Sequence, residues 1–197
     1  MENPTGVLYG RLDGFGLSER GHRMAELAAA SLAGHDIRSV TASPLQRTRE
    51  SAAPWIARFG GDLAVDERLI EPTNRFEGIN MRRDLPRRPD LWRHLHNPQV
   101  PSWGEPFRSV QARMMAVIAD TWASVDGGEA VLVSHQMPIV MVARTVARLP
   151  LPHNPSKRRC ALSSITTLER RGDAFFEVSY TEPAAELLAD AIDTGAV

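Results

Sequence analysis

Apolar positions along the chain switch period several times, and each switch marks an element. From Ser18 to Ala33, Met24, Leu27, Ala28 and Leu32 recur at the spacing of one helix face, which predicts an amphipathic helix stopped at Gly34. Ile37 to Ala42 is a short run with β-branched residues. It ends in Ser43-Pro44-Leu45-Gln46, a capping turn in which Ser43 and Gln46 can bond back to the backbone and Pro44 suits the first helical turn. A second helix is therefore expected from Pro44 to Phe59. Phe107, Val110, Met114, Val117 and Thr121 mark one face of a long helix closed near Gly127-Gly128. Ala130 to Val133 is a continuous apolar run of strand length, and Ser134-His135 joins it to an apolar helix over Pro138 to Ala147.

Two strand-turn-helix units imply an α/β fold with a mostly parallel sheet. Ser163 to Leu168 and Phe175 to Tyr180 read as a hairpin around Arg170-Arg171-Gly172-Asp173, and Glu182 to Ala191 as a closing helix. The stretch from Glu71 to Pro106 breaks the alternation. It holds six of the 14 prolines, clustered arginines and a single helical stretch near Asp90 to His96. Such a segment reads as an insertion over a site.

Composition narrows the field by exclusion. With 197 residues the chain has room for one substantial core, and one domain is expected over 1–197. Lys and Arg number 23 against 24 Asp and Glu, so nothing draws the whole protein to nucleic acid or to an anionic membrane. Cys160 is the single cysteine, which excludes an internal disulfide and offers no zinc-like cluster. No apolar run reaches the roughly 20 residues needed to span a bilayer, and Met1 to Thr5 lacks the features of a signal peptide. A cytoplasmic protein is the expectation.

Candidate chemistry sits where strands end and helices begin, the place at which open α/β sheets bind ligands. Arg47 lies one turn into the second helix, beside free amides that favour an anion; the competing reading is a surface arginine paired with Glu50. His135 follows an apolar strand and opens a helix, where an imidazole can bond a phosphoryl oxygen or move a proton near neutral pH.

The spelling of these segments, in this order, resembles the histidine phosphatase (phosphoglycerate mutase-like) superfamily. Leu17-Ser18-Glu19-Arg20-Gly21 is similar to its "LTERG" and Ser43-Pro44-Leu45-Gln46-Arg47-Thr48-Arg49-Glu50 to its "SPLxRAxET". Gly104-Glu105-Pro106 stands for its "GES", and Val131-Leu132-Val133-Ser134-His135 for the strand that delivers a pocket histidine, with Gln136 where the family usually has Gly. The resemblance implies a three-layer α/β/α sandwich. It makes Arg47 and His135 phosphate ligands and Glu71, in Asp66-Glu67-Arg68-Leu69-Ile70-Glu71, the proton donor. Asn3 is carried over as a phosphate contact although its spacing is one residue short. It implies a small phosphorylated substrate and neither metal nor cofactor.

The family's opening strand and its Arg-His-Gly-Glu, whose histidine becomes phosphohistidine, have no counterpart in the chain. Glu2-Asn3-Pro4-Thr5-Gly6 matches the loop after that signature, so the nucleophile is expected upstream of Met1. The missing strand is expected between Ile37–Ala42 and Ala130–Val133. The implied activity is phosphomonoester hydrolysis. The alternatives are a mutase using the same pocket, which usually goes with a longer chain, or a noncatalytic phosphate binder.

Other features have plainer readings. His22 reads as a solvated helix residue and not a substitute nucleophile. His94 and His96 read as surface residues without a metal-ligand pattern. Lys157-Arg158-Arg159 and Arg82, Arg83, Arg87 and Arg88 suit an anionic substrate or a solvated face, and Trp92 and Trp103 suit a pocket wall or packing of the insertion.

Overall fold

The computed structural model describes residues 3–94 and 103–188. Helix α1 spans Glu19–Ser31 and is capped by Ser18, whose Oγ accepts from the Gly21 amide at 3.2 Å. Its buried face is Met24, Ala25, Ala28 and Ala29, while Leu27 is 42% exposed. The predicted stripe is thus displaced, because small alanines let α1 lie close on the next helix. Strand β1, Ile37–Ala42, follows, and helix α2 covers Gln46–Phe59. That helix starts two residues later than predicted. The Ser43 hydroxyl is engaged with His135 and is not the helix cap, and Leu45 keeps an extended backbone ahead of the first turn.

A strand the pattern gave no sign of, β2 (Leu63–Val65), pairs with β1; three residues are too few to show a period. Among the described residues of the insertion, a 3₁₀ turn covers Leu85–Arg87 and the one α-helix is α3, Pro89–Trp92; His96 lies outside the described residues. Helix α4 runs Phe107–Ser124 and buries Phe107, Val110, Met114 and Val117 as its spacing predicts. Strand β3 (Glu129–Val133) leads into α5 (Gln136–Val146). The hairpin is β4, Ile165–Arg171, with β5, Ala174–Thr181, and α6 covers Ala185–Leu188; the rest of the predicted closing helix lies outside the described residues.

The order β2-β1-β3 is parallel throughout, with Val40 opposite both Leu63 and Val131. Alternate β3 side chains face opposite layers. Val131 and Val133 pack on a cluster of Ala28, Ala29, Ala52 and Trp55 from α1 and α2, whereas Leu132 packs on Val110, Met114 and Met141 from α4 and α5. This is the three-layer arrangement implied by the resemblance. One expectation is corrected: β1 and β3 pair directly from Ile37↔Glu129 to Ala42↔Val133, so no strand is missing between them. The β4–β5 hairpin forms a separate sheet. Among the described residues no helix is long and apolar enough to cross a membrane.

Candidate active site

Parallel strands bring their carboxyl ends to one edge, and three segments converge there. Ser43 follows β1, with its amide donating to Val133 O at 2.9 Å, and His135 follows β3. The turn between β1 and α2 is locked by Thr48 Oγ1, which donates to Ser43 O at 2.8 Å and Leu45 O at 2.7 Å. One turn into α2, Arg47 is carried inward to 6% exposure. The surface reading of Arg47 therefore fails. Glu50 accepts instead from Gln46 Nε2 at 2.7 Å and from the Leu17 amide.

His135 is 6% exposed and meets a partner at each ring nitrogen. Nδ1 lies 3.2 Å from Arg47 Nη2 and Nε2 lies 2.8 Å from Ser43 Oγ. A guanidinium only donates, so Nδ1 accepts and the ring proton belongs on Nε2, where it donates to Ser43. Burial, followed by the positive field of Arg47, holds the His135 pKa well below its ordinary value. The ring is neutral at physiological pH.

Glu71 completes the group, with Oε2 3.5 Å from His135 Nδ1. Burial raises its pKa from 4.5 to about 7, against the opposing pull of Arg47, Arg158, Arg113 and Arg11. Two of those cations are committed elsewhere. Arg113 makes paired 3.0 Å bonds to both carboxylate oxygens of Glu105, and Arg11 Nη2 lies 3.5 Å from Glu105 Oε2. A proton on Glu71 is thus exchangeable near neutrality, as a general acid requires.

Arg11, Arg113 and Glu105 were not singled out as chemistry in the sequence. Glu105, Ser109 and Arg113 recur at four-residue steps, and Ser109 Oγ also donates to Glu105 at 2.7 Å, so the helix spacing carried the signal. The Gly104-Glu105-Pro106 turn is pinned against Thr73. A Cβ on Gly104 would lie 2.1 Å from Thr73 O, and the Glu105 amide donates to that same oxygen at 3.2 Å. Gly104→Ala is expected to destabilise the protein by about 1–3 kcal/mol through overpacking, measured as a lower urea midpoint with unchanged slope. An unchanged midpoint would show that the turn is not held.

Arg47, His135 and Glu71 are brought together; Asn3 is not joined to them by its side-chain bonds. Its Oδ1 accepts from the Val7 amide at 3.3 Å and its Nδ2 donates to Val7 O at 2.8 Å, closing its own loop. The N-terminal segment reaches the site through other residues. Gly10 O accepts from Arg47 Nη2 at 2.7 Å, and the guanidinium lies 5.0 Å from the centre of the Tyr9 ring. Gln136 donates to Cys160 O at 3.0 Å and accepts from Arg158 Nη1 at 3.3 Å, tying the 153–160 loop to the start of α5. Arg159 turns away to Glu177 and the Tyr180 ring. Of the insertion's arginines, Arg83 pairs with Asp84 and Arg88 with Asp90 on the surface. His22 is exposed, as expected. Trp92 is half exposed, while Trp103 lines the cleft beside Thr73.

A parallel α/β sheet here carries a buried arginine, a neutral histidine and a protonatable carboxyl at its carboxyl edge, a set of groups able to bond an oxyanion and to exchange a proton. The comparisons give that set its family. The chain belongs to the histidine phosphatase superfamily, whose branch 1 family model matches residues 1–183. An uncharacterised protein of Mycobacterium tuberculosis is 44% identical over 190 residues, 94% of this chain and 93% of that protein. A 2,3-bisphosphoglycerate-dependent phosphoglycerate mutase of Thermoplasma acidophilum is 41% identical over 69 residues, 35% of this chain and 34% of the mutase. In structure, the chain is similar to a mycobacterial glucosyl-3-phosphoglycerate phosphatase with a TM-score of 0.72 and 25% identity, covering 89% of this chain and 91% of that one. The fold is phosphoglycerate mutase-like.

Proposed function

We propose that this site hydrolyses small phosphomonoesters through a phosphohistidine, with the nucleophilic histidine supplied by a segment outside residues 1–197. The observation that carries the reading is the convergence of Arg47, neutral His135 and Glu71 within one buried cluster. The guanidinium now spends a donor on the neutral carbonyl of Gly10, a weaker partner than a phosphoryl oxygen.

In the first step the nucleophilic nitrogen forms a bond to phosphorus as the ester P–O bond breaks, and Glu71 gives its proton to the departing oxygen. In the second step water attacks phosphorus, the N–P bond breaks and the Glu71 carboxylate takes the proton of the water. Arg47 holds the equatorial oxygens in both steps and His135 joins it with the ring proton moved to Nδ1 and the Ser43 hydroxyl donating to Nε2, so that both stabilise the charge that develops there. No step calls on a metal. A cytoplasmic location is part of the reading, supported by one buried, unpaired thiol at Cys160.

The test is quenching of the protein, carrying an apolar strand and Arg-His-Gly ahead of Met1, in alkaline detergent during turnover of a labelled aryl phosphate. Label is expected on the protein as an acid-labile, base-stable phosphoramidate. Turnover without it would exclude the covalent step, and label passing on to a phosphoglycerate acceptor in place of water would favour the mutase.

A further inference from the structure

We propose that Glu105 is a positioning residue for Glu71: its carboxylate joins Arg11 and Arg113 into a clamp that closes on the backbone at both ends of residues 68–71. The role of Glu71 as proton donor rests on the phosphatase reading; the clamp stands on its own bonds.

Glu71 lies where no regular element can hold it. A 3₁₀ turn covers Glu67–Leu69, Ile70 is extended, and neither helix nor strand runs from there through Thr73. Backbone carbonyls in such a stretch must find partners outside any ladder. Arg68 O accepts from Arg113 Nη1 at 2.6 Å, Leu69 O from Ser134 Oγ at 2.6 Å, Glu71 O from Arg11 Nε, and Thr73 O from the Glu105 amide at 3.2 Å. All but the bond to Leu69 lead back to Glu105. Its own amide reaches Thr73, and its carboxylate holds the two arginines, with 3.0 Å from each oxygen to Arg113 and 3.5 Å from Oε2 to Arg11 Nη2.

The fork of Arg113 transmits the position. Its Nε and Nη2 are taken by the two Glu105 oxygens, so the guanidinium plane is fixed and Nη1 is aimed at Arg68 O. Ser109 Oγ, donating to Glu105 Oε1 at 2.7 Å, steadies the carboxylate in turn. Ser109 and Arg113 both stand on α4, a rigid support, and an acid that must stay within hydrogen-bond reach of a reacting atom needs such support.

A plainer role for Glu105 and Arg113 is to fasten the start of α4. An ion pair with that role alone would end at its own two partners. Here Arg113 passes on to Arg68 O and Arg11 to Glu71 O, so the bonds converge on the segment that carries the acid. Charge converges there too. Glu71 is faced by Arg47 from α2, His135 after β3, Arg158 and Cys160 from the 153–160 loop, Arg113 from α4 and Arg11 from the N-terminal segment. Glu105 meets Arg11 and Arg113 directly, and without its charge both would favour ionised Glu71.

The experiment follows the Glu71 carboxyl by ¹³C NMR through a pH titration of the chain labelled at glutamate Cδ, with Glu71→Gln identifying the resonance. Parent Glu71 is expected to titrate near pH 7. Glu105→Gln is expected to lower that midpoint by about one pH unit, because two cations lose their counter-charge. Arg11→Lys, at a side chain 31% exposed, keeps the charge and the fold but not the Nε bond to Glu71 O. It is expected to lower the midpoint by about half a unit, as the loosened segment lets water reach the carboxyl. A bridge that only fastens α4 would cost Glu105→Gln stability in urea and leave Glu71 titrating with the parent, which would overturn the proposal. Should Glu105→Gln not fold, an unmoved Glu71 in Arg11→Lys would overturn it equally. Inorganic phosphate added to the parent is expected to raise the midpoint, since an anion beside Arg47 opposes ionisation of Glu71. If the variants shift as expected while phosphate moves nothing, the clamp stands and the phosphatase reading is removed.

Discussion

Arg47→Ala is expected to lower kcat/KM for an aryl phosphate by about 1,000-fold in the protein extended by an apolar strand and Arg-His-Gly, since a single preorganised donor to a developing oxyanion is worth about 10²–10³ and this one also carries charge. The loss should fall on kcat more than on KM, because the guanidinium gains most as charge develops on the phosphoryl oxygens. Arg47→Lys is expected to recover little. A lysine keeps the charge but not the rigid, delocalised guanidinium whose Nη2 reaches both His135 Nδ1 and the Gly10 carbonyl oxygen. The substitution also reaches Glu71, for which Arg47 is the foremost charge holding the pKa down. Its removal moves the alkaline limb of the rate profile to higher pH. Steady-state kinetics across pH 5–9 would check both effects, and a loss below about 10-fold with an unmoved limb would take Arg47 out of the site.

Much of this site was legible because its residues lie at strand ends, and strand ends can be read from period changes. Arg47 and His135 follow apolar runs by five and two positions, and the structure gathers them at one sheet edge together with Ser43, which the sequence offered only as a helix cap. Glu71 is different. It follows a 3₁₀ turn, Glu67–Leu69, whose place is set by tertiary contacts such as Ser134 Oγ donating to Leu69 O at 2.6 Å. No local period could have put it beside His135, and only the family resemblance did. In the charged layer the four-residue spacing of Glu105, Ser109 and Arg113 was readable, whereas Arg11 was not: it is far from Glu105 in sequence, and pairing at that separation leaves no local pattern. The misplaced strand shows the limit of reading a sheet from its parts. The sequence contains β1 and β3 as separate parallel runs, and nothing in either says which of its two edges meets the other.

That charged layer explains how four arginines near one carboxyl fail to keep it ionised. Glu105 accepts from Arg113, and this bonding holds its pKa below the ordinary value in spite of burial, which pushes the other way. Arg11 shares the same carboxylate, so much of the positive field reaching Glu71 is cancelled at its source. What remains is mainly desolvation, and burial of a carboxyl favours the protonated form. The same arrangement leaves Arg47 as the foremost of the cations acting on Glu71, consistent with a guanidinium placed for a substrate anion.

Glu71→Gln is expected to reduce kcat for an alkyl phosphate by about 10²–10⁴-fold, the usual worth of a positioned general acid, and far less for a nitrophenyl ester whose leaving group needs no proton. In the parent the protonated donor is present below about pH 7, so activity on alkyl esters falls as pH rises past that value; in the variant this limb should vanish. Stability gives a second reading with a sign of its own. The folded protein holds the Glu71 proton between pH 4.5 and about 7 while the unfolded chain has released it, so this group's contribution is full below pH 4.5 and is lost as pH rises, by up to about 3 kcal/mol. His135 works the other way: its folded pKa lies well below 6.5, so its contribution is present above pH 6.5 and is lost as pH falls. Between pH 4.5 and 6.5 the two slopes oppose each other in the parent. Glu71→Gln removes one of them, and the variant's urea midpoint should therefore climb with pH across that interval more steeply than the parent's. Parallel profiles for the two proteins would mean that Glu71 is ionised throughout, and would remove it as the proton donor.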